Sequence, residues 1–140
     1  MLVTEKTVIS DLDAIRLRTV ARQLIGARGE TRHKGEILFE KLDAAEVVPA
    51  SSIAADLVTM NSSVVYDDAA EGAMATLTLV YPGEADIGMG RVSVLSPLGL
   101  ALIGTRPGQT VVFETPDGNL RRVRVISLVY QPEANGDWTR

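Results

Sequence analysis

Val92–Gly104, VSVLSPLGLALIG, is the stretch from which the fold can be read. A short extended run leads into Ser96-Pro97, then one or two helical turns, then a glycine stop. Ser96 is placed to cap the helix, and Pro97 stands at the first helical position, where a missing N–H costs nothing. Gly104 can take the left-handed conformation that closes a helix. Leu98, Ala101, Leu102 and, more loosely, Leu95 recur at three- to four-residue spacing, which predicts one buried face. Two strand-like runs precede the stretch and two follow it. The short helix is therefore expected inside a sheet that wraps around it.

Toward the C-terminus, Thr110–Thr115 reads as a strand, Pro116-Asp117-Gly118 as a tight turn and Leu120–Tyr130 as a long strand. In that last strand Leu120, Val123, Val125 and Leu128 mix with Arg121, Arg122 and Arg124, so part of it has an apolar and a basic face. With Arg106 these arginines form a candidate patch for an acidic partner surface. Gln131–Arg140, which holds Pro132, Gly136 and Asp137, is expected to be a loose tail. Toward the N-terminus, Leu57–Asp67 and Ala73–Tyr81 are rich in Val, Thr and Tyr and flank a polar, Gly-containing loop. That pattern predicts a hairpin. Glu84–Gly90 is expected to be a loop or a single helical turn.

The first third reads differently. Ser10, with Asp13 three residues on, imitates a capping box, and Asp11 and Asp13 suit a positive helix end. Leu17, Val20, Ala21 and Leu24 make a helical stripe that should stop near Ile25, before Gly26 and Gly29. A second helix is expected from about Thr31 to Ala45, with Ile37, Leu38, Leu42 and Ala45 as its apolar stripe and Pro49 marking its end. Two such helices joined by a glycine-bearing loop make an antiparallel hairpin with arms of about 22 Å. The expected organisation is α+β: a short coiled-coil helical hairpin over residues 1–49 and a compact sheet domain over residues 50–140.

Composition narrows the function. The chain has 140 residues, 46% hydrophobic and 23% charged, which suits one ordinary globular domain or a small one with an appendage. Its net charge of −4 gives no whole-molecule attraction to nucleic acid, and no direct sequence-specific nucleic-acid binding is expected. The absence of cysteine excludes disulfides and thiolate metal sites and fits a cytoplasmic protein. No basic segment followed by an apolar run opens the chain, and no stretch approaches the length of a membrane span, so no membrane association is expected.

Catalytic chemistry is nearly absent from the residue list. His33 is the only histidine and sits in a polar helix start beside Lys34. Asp67, Asp68, Glu84 and Asp86 match no calcium-loop spacing. The glycines of PGEADIGMG at 82–90 do not open a long helix, and no GxxxxGK[ST] occurs. No metal, no cofactor and no enzymatic activity are expected. The chain reads as a binding module that acts as a monomer.

The segment Glu84–Tyr130, EADIGMGRVSVLSPLGLALIGTRPGQTVVFETPDGNLRRVRVISLVY, resembles the C-terminal domain of the bacterial Gre transcript-cleavage factors. The resemblance rests on Glu84-Ala85-Asp86, Ser96-Pro97, Ala101–Gly104, Gly108, the Thr115–Gly118 turn and the strand ending at Tyr130. Within that family the nearer resemblance is to the regulators of nucleoside diphosphate kinase, through VTMNS at Val58–Ser62 and YQPEA at Tyr130–Ala134. The resemblance implies a C-terminal domain similar to FK506-binding proteins, a curved antiparallel sheet around one short helix. It implies RNA polymerase as partner, bound at the rim of the secondary channel through this domain, with Ser96, Pro97, Leu98 and Gly99 at the docking edge.

The cleavage factors carry an acidic pair at the hairpin tip that helps to hold a catalytic magnesium ion. This tip, GARGETR at 26–32, offers only Glu30, flanked by Arg28 and Arg32, and the arms are several turns shorter. A metal-organising tip needs more than one carboxylate. The implied function is a non-catalytic, polymerase-binding regulator that competes with the cleavage factors and does not cleave. Three alternatives stand beside it. A peptidyl-prolyl isomerase would need aromatics gathered around a proline ring, and Tyr66, Tyr81, Phe113 and Tyr130 are few and dispersed in sequence. Cleavage with Glu30 as sole tip acid is the second. Direct action on nucleoside diphosphate kinase, suggested by the family's name alone, is the third.

Overall fold

A computed structural model of the chain describes residues 7–69 and 72–137. The start of the N-terminal lead-in, residues 70–71 of the turn expected at 67–72 and the last three residues of the tail lie outside that range. The chain divides into two compact units, Met1–Ile53 and Ala54–Arg140.

In the first unit, strand β1 (Val8–Ser10) runs directly into helix α1 (Asp11–Ile25); helix α2 (Gly29–Ala44) then returns to strand β2 (Glu46–Val48). Ser10 caps α1 as its sequence suggests, its Oγ accepting from the Asp13 amide at 3.0 Å. Ala14, Leu17 and Ala21 of α1 and Leu38 and Leu42 of α2 are buried. Ile37, expected in the α2 stripe, is 38% exposed, because Gly35, Leu38 and Leu42 define the buried face. Gly35 permits the closest approach: a Cβ there would lie 2.8 Å from the Leu24 Cβ and 3.1 Å from the Ala21 carbonyl oxygen. Pro49 does not end α2. The helix stops at Ala44, and β2 pairs in parallel with β1 in the register Val8↔Glu46, Ile9↔Val47, Ser10↔Val48. Asp11 reinforces this base, accepting from the Ala50 amide at 3.1 Å.

The second unit is a curled five-stranded sheet in the order β5-β4-β3-β7-β6, built from β3 (Ser63–Asp68), β4 (Ala73–Val80), β5 (Arg91–Ser93), β6 (Thr110–Glu114) and β7 (Leu120–Tyr130). All pairings are antiparallel except β4 with β5. The β3–β7 register shifts between Ser63 and Val64 and again between Val65 and Tyr66. Such irregularities increase twist and bend a strand. Helix α3 (Pro97–Leu102) packs against β5 and β6. The core of this unit is aliphatic: Leu57, Val58, Met60, Val64, Leu79, Val94, Leu102, Ile103 and Val125 are almost wholly buried.

Two expectations are corrected here. Leu57–Ser62 is not the first half of a strand but a buried turn, in which Asn61 has φ 65° and donates from its amide to the Leu79 carbonyl at 2.6 Å. Asparagine tolerates that left-handed conformation better than most residues. The segment after β7 is not loose through residue 137. Gln131, 2% exposed, donates from Nε2 to the carbonyls of Ala54 and Leu57, both at 2.7 Å. Thr59 donates from Oγ1 to Glu133 at 2.7 Å, and the Tyr130 hydroxyl donates to Asp137. VTMNS and YQPEA, the two motifs that single out one branch of the resemblance, thus meet in one hydrogen-bonded cluster.

Candidate docking site

The Ser93–Gly99 corner is organised around one carbonyl. The Ser93 carbonyl oxygen accepts from the Ser96 amide at 3.0 Å and from the Ser96 hydroxyl at 2.7 Å. The same hydroxyl accepts from the Gly99 amide at 3.0 Å and so caps α3. Pro97 occupies the first helical position. A Cβ on Gly99 would stand 2.1 Å from the Ser93 oxygen, so only glycine lets the helix start descend this far onto β5. Leu98 does not join the core as the stripe suggests. It is half-buried and turned to a cavity, while Val94 and Ile103 take the interior positions.

That cavity, of about 390 Å³, lies in the second unit. Ser96, Pro97 and Leu98 form one wall, Ile87 and Val92 another, and Tyr66, Phe113 and Val123 of the sheet also line it. Its size falls in the range of sites that take a small molecule or an inserted side chain. Asp68 and Arg121 also line it and form an ion pair diagonally across β3 and β7. Asp68 is 5% exposed, so the pair is a largely desolvated polar spot in an apolar wall. Ile87, 88% exposed, stands at the rim.

Of the four residues expected at a docking edge, Ser96, Pro97 and Leu98 line the cavity, and Gly99 lies buried beneath them. The residues that sequence reasoning left apart are Tyr66, Asp68, Phe113 and Arg121. A signal existed in the two-residue alternation, which puts Tyr66 with Asp68 and Arg121 with Val123 on one face. The pairing of Phe113 with Arg121 across β6 and β7 needed the register. Only two of the four candidate aromatics reach the cavity; Tyr81 and Tyr130 do not line it.

The expected patch of Arg106, Arg121, Arg122 and Arg124 is not one surface. Arg121 turns to Asp68, Arg106 pairs with Asp56 at 3.6 Å, and Arg122 and Arg124 are exposed on alternate β7 positions. Strand alternation separates residues that are neighbours in sequence.

In the first unit, the hairpin tip places Arg28, Glu30 and Arg32 in solvent. Arg32 donates from Nη1 to the Ile25 carbonyl at 2.7 Å, closing the end of α1, and lies 3.7 Å from Glu36. His33 is exposed, with its Nδ1 3.9 Å from Glu36. Among the described residues, no group of three or more histidine and carboxylate side chains could hold a metal ion. No helix among them is long and apolar enough to cross a membrane.

Comparison with known proteins agrees with this architecture. The family model described as transcription elongation factor GreA/GreB, C-terminal, matches residues 53–130. The regulator of nucleoside diphosphate kinase of Escherichia coli K12 is 35% identical over 131 residues, 94% of each chain. The transcription elongation factor GreA of Syntrophobacter fumaroxidans is 36% identical over 91 residues, 65% of this chain and 58% of that protein. Among solved structures, a GreA/GreB elongation factor from Nitrosomonas europaea is 34% identical, with a TM-score of 0.71 over 89% of this chain and all of that one.

Proposed function

We propose, from the premise that this chain belongs to the GreA/GreB transcription elongation factor family, that it is a non-catalytic transcription regulator that binds RNA polymerase. The observation that carries this reading is the Ser96–Leu98 corner standing over an apolar cavity beside the Asp68–Arg121 pair. Such a corner offers an inserted apolar side chain a slot and gives its polar neighbours charged groups to address. On this reading Ser96, Pro97 and Leu98 make the contact near the secondary channel, Gly99 sets the corner's height, and the protein acts as a cytoplasmic monomer. The curled sheet with one short helix is read within the same proposal as similar to FK506-binding proteins.

Competition with cleavage factors follows from a shared docking edge. Glu30 is the one carboxylate within the tip sequence 26–32, which supports docking without cleavage. The isomerase alternative draws less support, because Tyr66 and Phe113 alone line the cavity among the candidate aromatics.

The test is retention of core RNA polymerase on the immobilised full chain, with Pro97→Asp and Leu98→Glu as variants. Retention by the parent chain, loss in both variants and displacement by a cleavage factor support the reading. No retention, or retention indifferent to both substitutions, overturns it. Stalled elongation complexes incubated with the protein should release no cleavage product.

A further inference from the structure

The cavity beneath the Ser96–Leu98 corner has the chemistry of a ligand site as well as the shape of a slot. Strand alternation sets its floor: Tyr66 and Asp68 of β3 and Arg121 and Val123 of β7 line it from the sheet, and Phe113 of β6 joins them from the position opposite Arg121. Ala85, Ile87, Val92, Pro97 and Leu98 close its sides. The volume of about 390 Å³ lies within the roughly 300 to 1,000 Å³ of pockets that enclose whole small molecules.

The charged residues of the lining are Asp68, Arg91 and Arg121. Asp68 and Arg121 neutralise each other as an ion pair. Arg91 stands apart from them. It is exposed, and among the described residues no carboxylate lies within ion-pair distance of it. Its backbone is fixed by two bonds to Asp86, amide to carbonyl in each direction at 2.9 Å, while Asp86 and Glu84 stay outside the lining. Tyr66 adds a hydroxyl that bonds to no described residue. The cavity therefore joins an apolar bulk and two aromatic rings to one net positive charge.

We infer that the cavity is a binding site for a small apolar carboxylate, whose hydrocarbon body fills the slot and whose acid group is held by Arg91. The apolar lining favours the body by taking it out of water, and the rings of Tyr66 and Phe113 suit an aromatic one. The guanidinium fork of Arg91 matches the two oxygens of a carboxylate. An amine would meet Arg91 as a like charge and find Asp68 already held by Arg121. A neutral ligand would fill the slot and leave the cation without a partner. A bound acid would also exclude polymerase from the same corner; this exclusion, unlike the binding itself, rests on the docking reading.

The experiment is amide NMR titration of the full chain with phenylbutyrate, phenylbutanol and phenylbutylamine, which share one body and differ in the head group. Saturable shifts are expected around Tyr66, Val92, Leu98, Phe113 and Val123. The acid should bind about fivefold more tightly than the alcohol, and the amine most weakly. Arg91→Gln, at an exposed position, should remove the acid's advantage and leave the alcohol unchanged. Arg122→Gln, exposed and outside the lining, should change neither. No saturable binding of the acid, an acid bound no more tightly than the alcohol, an advantage that survives Arg91→Gln, or shifts confined to residues 7–53 overturns the site. Retention of core RNA polymerase on the immobilised chain is measured in parallel, and saturating phenylbutyrate should abolish it. Retention indifferent to the acid overturns the exclusion. Absence of retention even without ligand removes the exclusion together with the docking reading, while the titration still decides the site.

Discussion

Gly99 rests against the Ser93 carbonyl so closely that a methyl group on its α-carbon would overlap that oxygen, at 2.1 Å. The obstacle is backbone on both sides, and Ser93 is already held by the parallel pairing of β5 with β4. Gly99→Ala should therefore lift the start of α3 and destabilise the second unit by about 2 to 4 kcal/mol. Thermal unfolding measures the loss. If the variant unfolds within a degree of the parent chain, the corner is looser than described.

Arg121 and Asp68 set the polar end of the cavity. Arg121→Met keeps most of the side-chain volume but takes the guanidinium away from a carboxylate that is 5% exposed. Removing one partner of a buried pair costs about 3 to 5 kcal/mol, whereas Asp68→Leu together with Arg121→Met should recover much of that loss. Denaturant unfolding of the two single variants and the double variant measures the coupling.

Gln131 joins the end of β7 to the start of its unit through two carbonyls at 2.7 Å. Gln131→Ala leaves both acceptors without that donor in a buried setting, at a cost of about 2 to 4 kcal/mol. Hydrogen exchange should accelerate first at residues 54–62 and 131–136. Uniform acceleration throughout the second unit would instead indicate global destabilisation.

Lys41 is largely buried on α2, and desolvation lowers its pKa to about 8 from 10.5. A depressed lysine means that the unfolded chain binds the proton more tightly, so below pH 8 burial of the charged side chain opposes folding. That penalty fades as pH rises from about 8 to 10.5. Lys41→Met should stabilise the first unit by about 1 to 2 kcal/mol at pH 7, with the gain shrinking across that window. A gain independent of pH would show that added apolar contact, rather than desolvation, is responsible.

Much of the fold was legible because local chemistry and tertiary structure agree. Ser10 and Ser96 cap the helices they precede, Leu120–Tyr130 is a strand over its whole predicted length, and Gly104 takes a positive φ of 80°. The misses share a cause. β1 and β2 are three residues each and gain their identity only by pairing across 38 positions of chain. Leu57–Ser62 has the composition of a strand, but Thr59 and Ser62 spend their hydroxyls on each other and on Glu133, and Asn61 turns the chain. The order of the tail is not legible locally, because Gln131 and Glu133 find their partners at Ala54, Leu57 and Thr59, far away in sequence. The candidate docking corner could be located from Ser96-Pro97, whereas the cavity depended on the β3–β7–β6 order, which no single stretch encodes.

The parallel ladder between β1 and β2 brings the chain back to where α1 began. Because α1 and α2 run in opposite directions, a turn added to one can be matched by a turn added to the other while Val8 still faces Glu46. The reach of the hairpin is thus a free parameter of this architecture, adjustable in steps of about 5.4 Å by paired insertions and deletions that the base never senses.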